Sequence, residues 1–73
     1  MSPKPACVLK KTLADELRKA MLKLIELNDR DVRAILADDW PSSASVEVDI
    51  QEARKARDAA AKAYRDHMAE HGC

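Results

Sequence analysis

The longest uninterrupted helical pattern of hydrophobic and polar positions lies between Asp49 and His71, a stretch without glycine or proline. At 100° per residue, apolar and small side chains share one face there, and charged side chains recur at i,i+4 along the other. The first face comprises Val46, Ile50, Ala53, Ala56, Ala60, Ala63, Tyr64, His67, Met68 and His71. This spacing predicts a long amphipathic helix that lies against a neighbouring helix.

A second amphipathic pattern runs from Leu13 to Leu27 and follows Thr12, a suitable N-cap residue. Its apolar arc is about 160° wide on a helical wheel, which is wide enough to contact two neighbours. The arc comprises Leu13, Leu17, Ala20, Met21, Leu24, Ile25 and Leu27. Because Leu22 lies on the opposite, charged face, we expect Leu24 to be buried and Leu22 to be exposed.

A short third helix, over about 29–39, is predicted between these two patterns. Asn28 can end the first helix and cap the short one. Trp40 precedes Pro41, and the residue before a proline disfavours helical backbone, so the short helix is expected to stop there. Residues 41–45, with the sequence Pro-Ser-Ser-Ala-Ser, have the composition of a linker.

The start of the C-terminal helix has two solutions. Asp49 can be its N-cap, with Glu52 completing a capping box, or Ser45 can be the N-cap and the helix can start at Val46. The predicted range is therefore 46–71 or 49–71. Gly72 can end this helix, because glycine adopts the left-handed backbone of a helix C-terminus without steric penalty.

Residues 1–11 are predicted to form a flexible basic arm, because Pro3 and Pro5 favour extended backbone. Residues 12–73 then form a single helical domain. The chain has 73 residues with one tryptophan, one tyrosine and no phenylalanine, which is enough for a thin core and is unfavourable for strands. The predicted fold class is all-α: a small helical bundle or hairpin of two main helices and one short helix, completed by self-association.

The charge balance argues against a general attraction to nucleic acid, because 13 basic and 13 acidic residues give a net charge of zero. The charges are nevertheless distributed in blocks. Residues 1–37 carry +3, residues 38–52 carry −5 and residues 53–73 carry +2. Such blocks usually form solvated faces in a helical protein.

Candidate chemistry is limited to the C-terminus of the chain. His67 and His71 lie one helical turn apart in the order H-x-x-E-H, which is the order of an inverted zinc-peptidase signature. Cys73 is the nearest further ligand, so these three residues are the candidate metal site. A closed zinc site needs a fourth ligand, and we therefore expect neither metal nor another cofactor. Cys7 and Cys73 are too few for a disulfide scaffold.

The predicted function is that of a non-catalytic protein-interaction or regulatory module that acts as a homo-oligomer in the cytoplasm. Neither a targeting segment nor an apolar run long enough for a membrane span is visible. The expected oligomer interface comprises Ile50, Ala53, Ala56, Ala60, Ala63 and Tyr64. The alternative is a small dimeric nucleic-acid-binding regulator, whose basic surface comprises Lys4, Lys10, Lys11, Arg54, Lys55 and Arg57.

Overall fold

The protein is a hairpin of two long antiparallel helices. The computed structural model describes the backbone of residues 5–71 and the side chains of residues 8–70. Helix α1 spans Pro5–Leu36 and helix α2 spans Trp40–His71, and each contains 32 residues. The Cα atoms form a rod with extents of 57 × 18 × 11 Å. The predicted all-α class is confirmed for the described residues, which contain two main helices and no strand.

The predicted helix end at Asn28 is wrong, and so is the short third helix that was to begin there. Helix α1 continues through Asn28, whose side-chain Nδ2 donates a hydrogen bond to the carbonyl oxygen four residues earlier at 3.0 Å. An i,i+4 ion pair of Glu26 with Arg30 at 2.6 Å spans the same position, and a second i,i+4 ion pair, of Asp29 with Arg33 at 3.0 Å, follows directly after it. These local interactions favour one continuous helix.

The predicted start of the first helix is also corrected. Helix α1 begins at Pro5, and proline is well tolerated there because the amides of a first turn have no acceptor within the helix. Residues 5–11, which were predicted to belong to a flexible arm, form the first turns of α1. Thr12 consequently lies inside the helix and does not cap it. Residues 1–4 lie outside the described region.

A three-residue turn, Ala37–Asp39, connects the helices and satisfies the last carbonyl groups of α1. The backbone N–H of Asp38 donates to the carbonyl oxygen of Ile35 at 3.0 Å, and that of Asp39 donates to Ala34 at 2.8 Å. This pair of hydrogen bonds defines a Schellman motif. Its left-handed residue is Asp38, with φ of 55°, at the position where glycine is most common.

Asp39 also caps helix α2. Its Oδ1 accepts a hydrogen bond from the backbone N–H of Ser42 at 3.2 Å, which is the usual N-cap geometry. Hydrogen bonds from the side chain and then the backbone of Ser42 lower the pKa of the Asp39 carboxyl below its ordinary value. Asp39 thus takes part both in the C-terminal motif of α1 and in the N-terminal cap of α2.

The predicted linker at residues 41–45 is therefore wrong. These residues form the first turns of α2, and Pro41 is accommodated there because its missing N–H has no partner to lose in a first turn. Both predicted start positions of the C-terminal helix, after Ser45 and after Asp49, lie inside α2. The proline lies in the first turn of a helix and does not end one.

The two aspartates of the turn give opposite predictions for stability. Asp38→Gly should raise the free energy of unfolding by about 0.5–1 kcal/mol, because glycine adopts a positive φ without the clash of a Cβ atom. Asp39→Ala should lower the melting temperature, because α2 loses its cap. Thermal melts followed by circular dichroism measure both effects. An Asp38→Gly variant that melts below the wild type contradicts the left-handed turn.

Asp39→Asn is the matched control, since asparagine keeps the capping oxygen but does not titrate. The lowered pKa of Asp39 contributes stability above the ordinary pKa of an aspartate, and this contribution is lost as the pH falls through the lowered pKa of the folded protein. The asparagine variant should therefore lose less stability than the wild type on acidification. Equal losses would show that the cap does not depend on charge.

The core is thin, and the side chains of residues 8–70 form one cluster of buried apolar residues: Leu24, Leu27, Ile50 and Ala53. Val46 packs against this cluster from α2 and is partly buried. Leu24 is 7% exposed and Leu22 is 57% exposed, which confirms the predicted helical phase of α1. Such a small cluster can stabilise only a short length of the rod.

Candidate association surface

One face of α1 carries large apolar side chains that α2 does not cover. We name Ala14, Met21, Ile25 and Val32 the α1 stripe, because they lie within about 40° of one another on a helical wheel. Met21 is 49%, Ile25 is 65% and Val32 is 53% exposed, and Ala14 is half-buried. One side of the wide apolar arc that the sequence predicts thus packs against α2, and the other side is open.

Two polar residues complete the α1 stripe. Arg18 and Asn28 are exposed and lie between its apolar members. The spacing between successive stripe positions therefore alternates between four and three residues, over positions 14, 18, 21, 25, 28 and 32. This alternation is the spacing of contact positions in a coiled-coil helix. The open face of α1 therefore has the pattern of a helix that packs lengthwise against another helix.

A groove of about 230 Å³ lies between the two helices beside the centre of the stripe. It is lined by Met21, Leu24, Ile25, Asn28, Arg54 and Arg57. The guanidinium of Arg57 pairs with the carboxylate of Asp58 at 2.9 Å, and the Arg57 side chain is 38% exposed. The groove thus offers an apolar α1 wall and two arginines on its α2 wall to an incoming side chain.

The predicted interface residues of α2 mostly face α1 within the same chain. Ile50 and Ala53 are buried in the core cluster, and Ala60 and Tyr64 are half-buried. Ile50 and Ala53 pack in the intramolecular core. The assignment of the α2 residues to an oligomer interface stays a prediction.

The other two predicted interface residues, Ala56 and Ala63, are exposed on α2. Arg57 and Ala61 are half-buried in their place, so the covered face of α2 is rotated relative to the predicted alanine face. Alanine identifies such a face poorly, because it is common on exposed helix surfaces as well as in helix contacts. An arginine whose aliphatic stem is covered gives no apolar signal in the sequence.

A polar contact between the helices was not predicted from the sequence. The Oγ of Ser43 donates a hydrogen bond to Oδ1 of Asp31 at 2.6 Å, and Ser43 is 3% exposed. The contact fixes the register of α1 against α2 near the turn. A serine in a Ser-rich segment resembles a linker residue, and no local pattern indicates a partner twelve residues away.

Charge is separated along the long axis of the hairpin. The part nearer the turn, residues 25–52, contains eight acidic residues and two arginines, for a net charge of −6. The part nearer the open end, residues 5–24 and 53–71, contains ten basic and five acidic residues, for a net charge of +5 with neutral histidines. The rod is therefore acidic at its turn and basic at its open end.

The basic residues of the nucleic-acid alternative lie in separate places. Lys10 and Lys11 are near the open end of α1, whereas Arg54, Lys55 and Arg57 are near the middle of α2. Lys55 pairs with Glu52 at 3.5 Å, and Arg57 pairs with Asp58. Carboxylates thus neutralise part of the proposed basic surface, and Lys4 lies outside the described region.

The candidate metal ligands are only partly within the described region. His67 is 6% exposed and belongs to the buried face of α2. The side chain of His71 and all of Cys73 lie outside the region that the structure describes. Among the described residues, histidine, cysteine, aspartate and glutamate side chains form no group of three that could hold a metal ion.

Comparisons with known proteins do not assign the chain to a family. No protein-family model, no curated protein and no solved structure matches it. Within the described residues, neither helix contains a segment apolar enough to cross a lipid bilayer.

Proposed function

We propose that this protein is a non-catalytic helical interaction module that functions as a homo-oligomer. The observation that carries this proposal is the exposed α1 stripe. Large apolar side chains at coiled-coil spacing on a face that α2 leaves uncovered are typical of a protein-contact surface. The proposed interface therefore lies mainly on α1, although the sequence pattern favoured α2.

The surface area of the hairpin supports the same proposal. Its accessible surface is 5581 Å², whereas a compact monomer of 8.1 kDa exposes about 4,500 Å². A two-helix rod with a four-residue core buries little apolar surface for its length. Small domains of this kind commonly gain stability from oligomerisation. Association through the open face of α1 would add the missing burial.

Concentration-dependent unfolding tests the proposed self-association. If folding is coupled to dimer formation, a hundredfold increase in protein concentration stabilises the folded state by about 2.7 kcal/mol. The melting temperature should then rise by about 5–10 °C over this range. Circular dichroism melts at several concentrations measure the shift. An unchanged melting temperature across the range would contradict an oligomer whose folding and assembly are linked.

A further inference from the structure

We infer that two copies of this chain pack antiparallel, α1 stripe against α1 stripe, about a two-fold axis at the level of Lys23, and that they thereby form a four-helix bundle. This inference rests on the proposed self-association and adds the surface, the direction and the register of the contact. Three features of the described residues support it: the symmetric spacing of the stripe together with its polar members, the charge separation along the rod and the size of its broad side.

The spacing of the α1 stripe is symmetric about residue 23. Ala14 and Val32 lie nine residues on either side, and Met21 and Ile25 lie two residues on either side. In an antiparallel pair, Met21 of one copy therefore meets Ile25 of the other, and Ala14 meets Val32. A two-fold interface requires this self-complementarity, because the same patch must fit itself after rotation.

The polar members of the stripe follow the same symmetry and favour the antiparallel direction. Arg18 and Asn28 each lie five residues from residue 23, so the guanidinium of one copy meets the amide of the other. The Nδ2 of Asn28 donates to the carbonyl oxygen of Leu24 at 3.0 Å, and its Oδ1 can accept a hydrogen bond from the partner's arginine. A parallel pair would instead place two Arg18 guanidinium groups together, which is repulsive.

The charge separation along the rod favours the same direction. An antiparallel arrangement brings residues 25–52 of each copy, with a net charge of −6, toward the open end of the other, which carries +5. A parallel arrangement would bring like charges together along the whole rod. Complementary charge selects the orientation of an interface and penalises the wrong one.

A dimer contact along the whole rod would have the size of a standard interface. The broad side of the rod, across both helices, has Cα extents of 57 × 18 Å and a projected area of about 1,000 Å², compared with about 800 Å² per partner in a standard interface. The groove beside Met21 and Ile25 lies at the centre of this face, where the same residues of the partner would enter. The inferred contact is thus centred beside this groove.

Disulfide cross-linking tests the direction and the register. The background variant carries Cys7→Ser and Cys73→Ser, so that only introduced cysteines react. Ala14→Cys and Val32→Cys proteins are prepared separately, mixed under reducing conditions to allow exchange, and then oxidised. The mixture should give a cross-linked heterodimer as its main product, and intact mass spectrometry distinguishes this from either homodimer.

Each variant alone should cross-link weakly. In the antiparallel register, the two Val32 positions of a dimer are separated by about 27 Å along the helix axis, because 18 residues each rise 1.5 Å. Lys19→Cys, on the outer side of α1, is the control that should not cross-link with either variant. Light scattering on the same samples reports whether dimers are present.

The possible results separate the two proposals. Efficient cross-linking of Val32→Cys with itself shows a parallel dimer and overturns this inference, while self-association stands. A dimeric mass without any cross-link at positions 14 and 32 places the interface elsewhere and also overturns it. A monomeric mass in the cysteine-free background contradicts the proposed self-association and the inference together.

Discussion

Leu27→Ala should destabilise the hairpin by about 2–4 kcal/mol and lower its melting temperature by at least about 10 °C. Leu27 is 2% exposed and belongs to the four-residue core cluster. The substitution removes a buried apolar side chain and leaves a cavity between α1 and α2. Because the core is thin, no further layer of side chains can fill that cavity. Chemical unfolding followed by circular dichroism gives the change in free energy directly.

Leu22→Ala provides the matched control for this experiment, since the same atoms are removed from the same helix. Leu22 is 57% exposed, and its truncation should change the free energy of unfolding by about 0.5 kcal/mol or less. Similar losses for the two variants would mean that the helical phase of α1 is wrong or that a partner covers Leu22.

Ile25→Asp should raise the dissociation constant of the dimer at least about a thousandfold. Ile25 is 65% exposed in the hairpin and lies two residues from the proposed two-fold axis. Each dimer would bury the new carboxylate twice in an apolar contact, and each 1.4 kcal/mol of lost binding free energy weakens association about tenfold. Sedimentation equilibrium measures the constant.

Val48→Asp is the control for that substitution. Val48 is also branched at Cβ and is 60% exposed, but it lies on the outer side of α2, away from the α1 stripe. Its replacement should leave the dissociation constant within about threefold of the wild type, since surface changes are usually worth about 0.5 kcal/mol or less. If Val48→Asp dissociates the dimer and Ile25→Asp does not, the interface lies on α2.

The helical phase of α1 was predictable from the sequence, because it depends on the period of the apolar positions, whereas the covered face of α2 is rotated relative to the predicted alanine face. Leu24 is buried and Leu22 is exposed as this period predicts, and Ile50 and Ala53 face a neighbouring helix. The neighbour of α2 is α1 of the same chain. Periodicity identifies the face that is covered but does not identify the molecule that covers it.

The ends of the helices were not predictable by the same reasoning. Asn28 is of a type that can cap a helix but can also lie within one, and Pro41 is of a type that can end a helix but can also lie in its first turn. Residue type alone therefore does not decide whether a helix ends or continues at these positions. The real turn has no glycine, because Asp38 takes the left-handed position. The i,i+4 spacing of Glu26 and Arg30, which form an ion pair across position 28, was the available sign that α1 continues through Asn28.

The proposed association surface was only partly predictable. The wide apolar arc of the predicted first helix indicated room for two neighbours, and it contained Met21 and Ile25 of the α1 stripe, whereas Ala14 and Val32 were not part of it. The alanine-rich face of α2 was assigned to the oligomer interface instead. Small side chains permit close approach of helices, but they do not show whether the approach is within one chain or between two.

The molar mass of the wild-type protein in solution tests the central proposal most directly. Multi-angle light scattering across a range of micromolar concentrations should give a mass twice that of the 8.1 kDa chain, decreasing toward the chain mass on dilution. A folded, strongly helical protein that keeps a mass of 8.1 kDa at the highest concentration would contradict self-association through the α1 stripe.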